Sequence, residues 1–104
     1  MFAAIKTAHP NLHISIQASR FHYCAPRETH SDLRNYYQFE VALLKPNDLL
    51  TPEEVSQFLS PELTSYWGGD TVAAYVPADQ VQKMCEQLGV FSAIEATSLT
   101  LTQQ

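Results

Sequence analysis

A chain of 104 residues and 11.7 kDa holds one hydrophobic core, and folding it hides about 11,000 of roughly 17,000 Å² of chain surface. With 45% hydrophobic and 16% charged residues, the composition is that of a folded rather than a disordered chain, while no apolar run is long enough to span a bilayer. The formal charge of −5 comes from six Lys and Arg against eleven Asp and Glu, which argues against direct nucleic-acid binding, because phosphate neutralisation needs more cations.

Residues 1–11 show no clear period, and Pro10 interrupts whatever precedes it, so they read as an edge strand, a helical turn or a loose arm. From Leu12 to Phe21 the apolar residues Leu12, Ile14, Ile16 and Ala18 alternate with His13, Ser15, Gln17 and Ser19, the period of a half-buried strand. Residues 22–35 follow as a long ordered loop: Pro26 extends Ala25, and Thr29, Ser31, Asp32 and Asn35 are turn or cap formers, with one helical turn expected near 31–34. A loop of that length in so small a domain marks a functional surface. Alternation resumes over Tyr36–Leu44, with Tyr37, Phe39, Val41 and Leu43 on one face, and this second strand is the natural antiparallel partner of the first.

Thr51-Pro52-Glu53-Glu54 is a helix start. Thr51 caps, Pro52 suits the first helical position, and Glu54 completes a capping box. Val55, Phe58 and Leu59 supply its buried side. Ser60-Pro61-Glu62 repeats the start signal, so a second short helix is expected to run to about Tyr66, ended by Gly68-Gly69. Thr71–Val76 reads as a short strand with Val72, Ala74 and Val76 on one face. Ala78–Leu88 has the most regular helical pattern in the chain, with Val81, Met84, Cys85 and Leu88 on one stripe, Asp79 in the first turn and Gly89 as the C-terminal cap. The Thr-rich alternation Leu99–Thr102 predicts a fourth strand. The whole chain, 1–104, is then one α+β domain: a small antiparallel sheet of three or four strands with two main helices on one face.

Charge is divided along the chain. Residues 1–45 carry five Lys and Arg against three acids, net +2; residues 46–104 carry Lys83 against eight acids, net −7. Two surfaces suit a protein partner. One is the run Ser19–Arg27 with its loop, in which Arg20, His22, Tyr23, Arg27 and Arg34 are the candidate contacts, since Arg and Tyr concentrate binding energy. The other is acidic, with Asp48, Glu53, Glu54 and Glu62 facing a basic partner. The plainer expectation for the first surface is that Phe21 and Tyr23 pack beneath the loop while the arginines pair with Glu28, Asp32 or Glu40. Trp67 reads as core.

Cys24 and Cys85 lie far apart, and with no apolar leader visible near the N-terminus both are expected to be reduced thiols in a cytoplasmic protein. His22, Cys24 and His30 are zinc-binding types, but a structural site would need His13 or Cys85 as a fourth ligand. Cys24 with a neighbouring histidine is also the minimal thiol nucleophile and base. No cofactor motif is present, since Gly68-Gly69 lacks the spacing and Lys of a phosphate loop.

The runs SRFHYCAPR (residues 19–27) and YVPADQV (residues 75–81) resemble short, functionally uncharacterised accessory proteins of tailed phages and prophages. Those pair a strand ending in Ser-Arg/Lys-x-His-Tyr-Ser/Cys-x-Pro-Arg with a late Tyr-x-Pro-x-x-x-Val helix start. The resemblance covers about a quarter of the chain, and residues 46–66 depart from it as a helix-rich insert. It implies a small accessory protein of a mobile element that binds a host protein, including components of CRISPR defence. The expectation is therefore a non-enzymatic inhibitor of a bacterial defence complex. A homodimeric assembly protein exchanging the 99–102 strand is the alternative, and a thiol or zinc enzyme using His22, Cys24 and His30 is a second.

Overall fold

A computed structural model describes residues 2–46 and 48–90. Four antiparallel strands lie in chain order across one sheet: β1 (Ile5–Lys6), β2 (His13–Gln17), β3 (Gln38–Leu44) and β4 (Ala73–Pro77). Ile14 faces Ile5 on one side and Leu43 on the other, and Ile16 faces Val41, so the β-branched residues of β2 stack across the sheet. The helices fill the connections. α1 (Pro52–Val55) and α2 (Pro61–Thr64) are single turns, the latter running into a 3-10 turn at Ser65–Trp67, and α3 (Ala78–Leu88) follows β4 directly. The α+β architecture expected from the sequence is the one observed, and the middle segment breaks into two short helices before Pro61, where the second start signal stands.

One core joins the sheet to the helices. Ile14, Ile16, Phe39, Val41 and Leu43 from the strands meet Val55, Leu59, Leu63 and Trp67 from the middle segment and Val81, Met84, Cys85 and Leu88 from α3, all buried. Each such side chain contributes about 1.5–3 kcal/mol of transfer free energy. The α1 capping box forms as its sequence dictates: Thr51 Oγ1 accepts from the Glu54 N–H at 3.3 Å, and Glu54 Oε1 accepts from the Thr51 N–H at 3.0 Å. Gly89, at φ +80°, reverses the chain after α3, so that the Val90 N–H reaches the Cys85 carbonyl at 2.7 Å. A side chain there would press on Ala8, whose Cβ lies 2.5 Å from where a Gly89 Cβ would stand.

Of the three expectations for residues 1–11, the edge strand is realised. The Gln17 amide extends it beyond Ile5: Gln17 Oε1 accepts from the Phe2 N–H at 3.0 Å and Gln17 Nε2 donates to the Phe2 carbonyl at 2.6 Å. The strands are shorter than the sequence alternation. β2 stops at Gln17 because Ser19 starts a turn, with its carbonyl accepting from the His22 N–H and its hydroxyl from the Phe21 N–H. β3 begins at Gln38, so Tyr37, expected to face inward, is exposed, and Tyr36 is buried in its place.

β4 departs furthest. Phe39 pairs with Val76 and Val41 with Ala73, so two residues, Ala74 and Tyr75, stand opposite Glu40 alone. This β-bulge breaks the period-two reading of Val72, Ala74 and Val76, and the buried pair is Ala73 and Val76. Tyr75 takes φ +53° within the bulge, a conformation that bulky side chains rarely adopt. The predicted strand at Leu99–Thr102 lies outside the described residues.

Candidate binding surface

The loop from Ala18 to Tyr37 is anchored from beneath. Cys24 is fully buried, and its thiol donates to the carbonyls of Ser19 at 3.1 Å and Pro26 at 3.4 Å. Ala25 bridges to Gln38, extending the sheet by one rung. Tyr36 is buried with its hydroxyl turned to the loop, donating to the Glu28 carbonyl at 2.6 Å and accepting from the His30 N–H at 2.7 Å. The expected helical turn forms at Leu33–Asn35, capped by Asp32, with Leu33 buried below it. A long loop thus becomes an ordered platform.

On this platform the segment Arg20–Tyr23 meets the β4 bulge. The Tyr75 N–H, which the bulge removes from the β-ladder, donates to the Tyr23 carbonyl at 3.0 Å, and the Tyr23 N–H donates to the Glu40 carboxylate at 3.2 Å. The Tyr23 and Tyr75 rings lie 6.0 Å apart, centroid to centroid. Both remain solvent-facing, as do Tyr37 and Phe21, the latter 76% exposed. Four aromatic rings on or beside this loop are therefore exposed, and Tyr23 and Tyr75 among them are neighbours.

Two guanidiniums lie among them. Arg20 Cζ sits 4.9 Å from the Phe21 ring centroid and Arg27 Cζ 5.9 Å from that of Tyr23, while Arg27 Nη2 donates to the Arg20 carbonyl at 3.4 Å. Cation–π stacking of this kind contributes about 0.5–1 kcal/mol at exposed positions. The expectation that the loop arginines pair with local acids holds for Arg34 alone. Its guanidinium bonds Asp32 at 2.6–3.1 Å, which lowers the Asp32 carboxyl below its usual range, through those side-chain bonds first, and raises Arg34 correspondingly. Phe21 and Tyr23 do not pack beneath the loop as that reading required.

His22 turns to the open face of the sheet. Its Nδ1 lies 2.6 Å from the Ser19 hydroxyl, and its ring borders a shallow groove of about 350 Å³ with Ser15, Gln17, Glu40, Ala42 and Val72. His30 pairs with Glu28 at 3.0 Å. His22 and Cys24 both bond Ser19, one at its hydroxyl and the other at its carbonyl, whereas His30 is held by Glu28. Among the described residues no group of three or more His, Cys, Asp or Glu side chains is placed to hold a metal ion. Cys85, within the α3 core, is pushed up to about 12 by burial, with Glu86 adding to the shift.

The acidic candidates lie elsewhere. Asp48 follows the far end of β3, where its carbonyl accepts from the Lys45 N–H; Glu53 and Glu54 open α1, and Glu62 opens α2. All four are exposed, and Glu54 is engaged in its capping box. A second groove, of about 280 Å³, is formed at that same far end by the Lys6–His13 turn. Tyr37 owes its exposure to the late start of β3, and Tyr75, the ring that the sequence did not single out for binding, owes its own to the bulge. Alternation assigns Tyr37 inward, and no residue type announces a tyrosine at positive φ.

The fold and surface define a small α+β domain with an aromatic, guanidinium-bearing end. Comparison with family models, with curated proteins and with solved structures finds no match for this chain. None of the helices among the described residues is long and apolar enough to cross a membrane.

Proposed function

We propose that this protein is a non-enzymatic binding module that docks a protein partner through its loop end, with Arg20, His22, Tyr23 and Arg27 joined by Phe21 and Tyr75. The observation that carries this reading is the pairing of Arg20 and Arg27 with exposed aromatic rings on a loop fixed by Cys24 and Tyr36. A preordered backbone spares the cost of ordering the loop on binding, and arginine and tyrosine are the side chains in which interface energy concentrates. The phage-like runs at residues 19–27 and 75–81 support a more specific role, in the cytoplasm of a bacterial host, as an inhibitor of a defence complex of the CRISPR type. Arg34 and the acids Asp48, Glu53, Glu54 and Glu62 are peripheral in this reading.

Affinity capture from host lysate tests it, with the wild-type chain beside Tyr23→Ala and Arg27→Glu variants of unchanged circular dichroism. A specific protein retained by the wild type and lost from both variants supports the reading. Capture unaffected by either variant, or no specific protein at micromolar concentration, refutes it. A concentration-dependent dimer in sedimentation, abolished by Tyr23→Ala, would replace it with self-association.

A further inference from the structure

The chemistry of the partner's contact is written in how the loop distributes its charges. Three acids lie within reach of the loop, and none of them pairs with Arg20 or Arg27. Glu28 is paired with His30, Asp32 is bound by Arg34, and Glu40 accepts from the Tyr23 N–H. The ion pairs among the described residues are His30–Glu28 and Arg34–Asp32. Among the described residues Arg20 and Arg27 are exposed, form no ion pair, and are linked by the bond from Arg27 Nη2 to the Arg20 backbone carbonyl. Two guanidiniums without a carboxylate partner, tethered on one loop, form a local site for anions. Their planar forks match carboxylates in bidentate geometry.

We infer that this corner receives an acidic linear segment of the partner protein, with one carboxylate meeting Arg20, another meeting Arg27, and the Phe21, Tyr23 and Tyr75 rings covering the segment between them. The inference rests on the binding-module reading above. Charge complementarity selects a short acidic peptide over a nucleic acid. The chain carries −5 overall, so a long polyanion following its surface meets eleven acids against six cations, whereas a peptide of two or three charges senses little beyond the screening distance of about 8 Å.

The test uses fluorescein-labelled ten-residue peptides in a Gly/Ser/Leu background, with two glutamates set one to five residues apart. Their Gln counterparts and a ten-nucleotide dT strand serve as comparisons, all read by fluorescence anisotropy on the full chain. At least one spacing is expected to bind, at least tenfold more tightly than its Gln counterpart, and to weaken as salt rises. The Arg20→Gln/Arg27→Gln protein should lose at least tenfold, and the Arg20→Lys/Arg27→Lys protein, keeping charge without the fork, should lose less. Both side chains are exposed, so circular dichroism should not change. No binding at any spacing, equal binding of the Gln peptide, an unaffected double-Gln variant, or tighter binding of dT would each overturn the inference. If a host protein is captured through Tyr23 but survives the double-Gln change, the acidic-segment inference fails while the binding-module reading stands. If peptides bind as expected and no host protein is captured, the reverse holds.

Discussion

Tyr75 offers a measurement in which the usual order of two substitutions is inverted. In a regular strand, replacing a residue by Ala is less damaging than replacing it by Gly, because Gly costs roughly 0.5–1 kcal/mol more in chain entropy. At φ +53° the balance changes. Any Cβ in the left-handed region costs roughly 1–2 kcal/mol that Gly does not bear. Tyr75→Gly and Tyr75→Ala both lose the ring contact with Tyr23, so that loss cancels between them. Setting the midpoints against each other, ~1.5 against ~0.75, leaves Tyr75→Gly more stable than Tyr75→Ala by roughly 0.75 kcal/mol. For a domain of this size the gap corresponds to about 3–6 °C in Tm. Urea and thermal unfolding followed by fluorescence of Trp67, the single tryptophan and a buried one, would read it directly. Equal stability, or Ala above Gly, would refute a positive φ at this position and with it the bulge that turns the ring outward.

Three further outcomes are expected. Gly89→Ala should destabilise by more than about 2 kcal/mol, since it combines the left-handed penalty with overlap on Ala8, and a second change, Ala8→Gly, should restore part of the loss in chemical denaturation. Thr51→Ala should cost about 1 kcal/mol by removing the α1 cap, read as a lower urea midpoint at unchanged slope. Cys85 remains a neutral thiol in the folded chain to about pH 12, whereas the unfolded chain ionises it near ~8.5, so unfolding releases a proton in that window. Stability should therefore fall as pH rises through the window, by at most about 1.4 kcal/mol per unit from this group, and Cys85→Ala should remove that component of the alkaline slope.

Much of the fold was legible because local signals agreed. Thr51, Pro52 and Glu54 specify one helix start through three independent effects, and all three are realised. Val81, Met84, Cys85 and Leu88 all face the core, and Gly89 ends the helix where its sequence places it. Alternation located β2 and β3 but overran them, because period two continues into Ser19 and back to Tyr37, where turn bonds and the burial of Tyr36 take over. The bulge was illegible: Ala73-Ala74-Tyr75 reads as a plain strand, and the extra residue exists only because Phe39 and Val41 select Val76 and Ala73 as partners. At the candidate surface, Arg20, Tyr23 and Arg27 stood out by residue type. Whether their charges were satisfied was invisible, since sequence proximity put Glu28, Asp32 and Glu40 equally within reach of all three arginines.

The sheet's two rims also bear on how the molecule behaves in company. On one side only Ile5 and Lys6 offer a ladder before the Gln17 amide clasps Phe2 and takes the place of the next rung. On the other, the kink at Tyr75 and the missing donor of Pro77 leave no straight row of amides for a neighbour to read. Among the described residues both margins are thus short or kinked, the form that limits edge-to-edge pairing between copies.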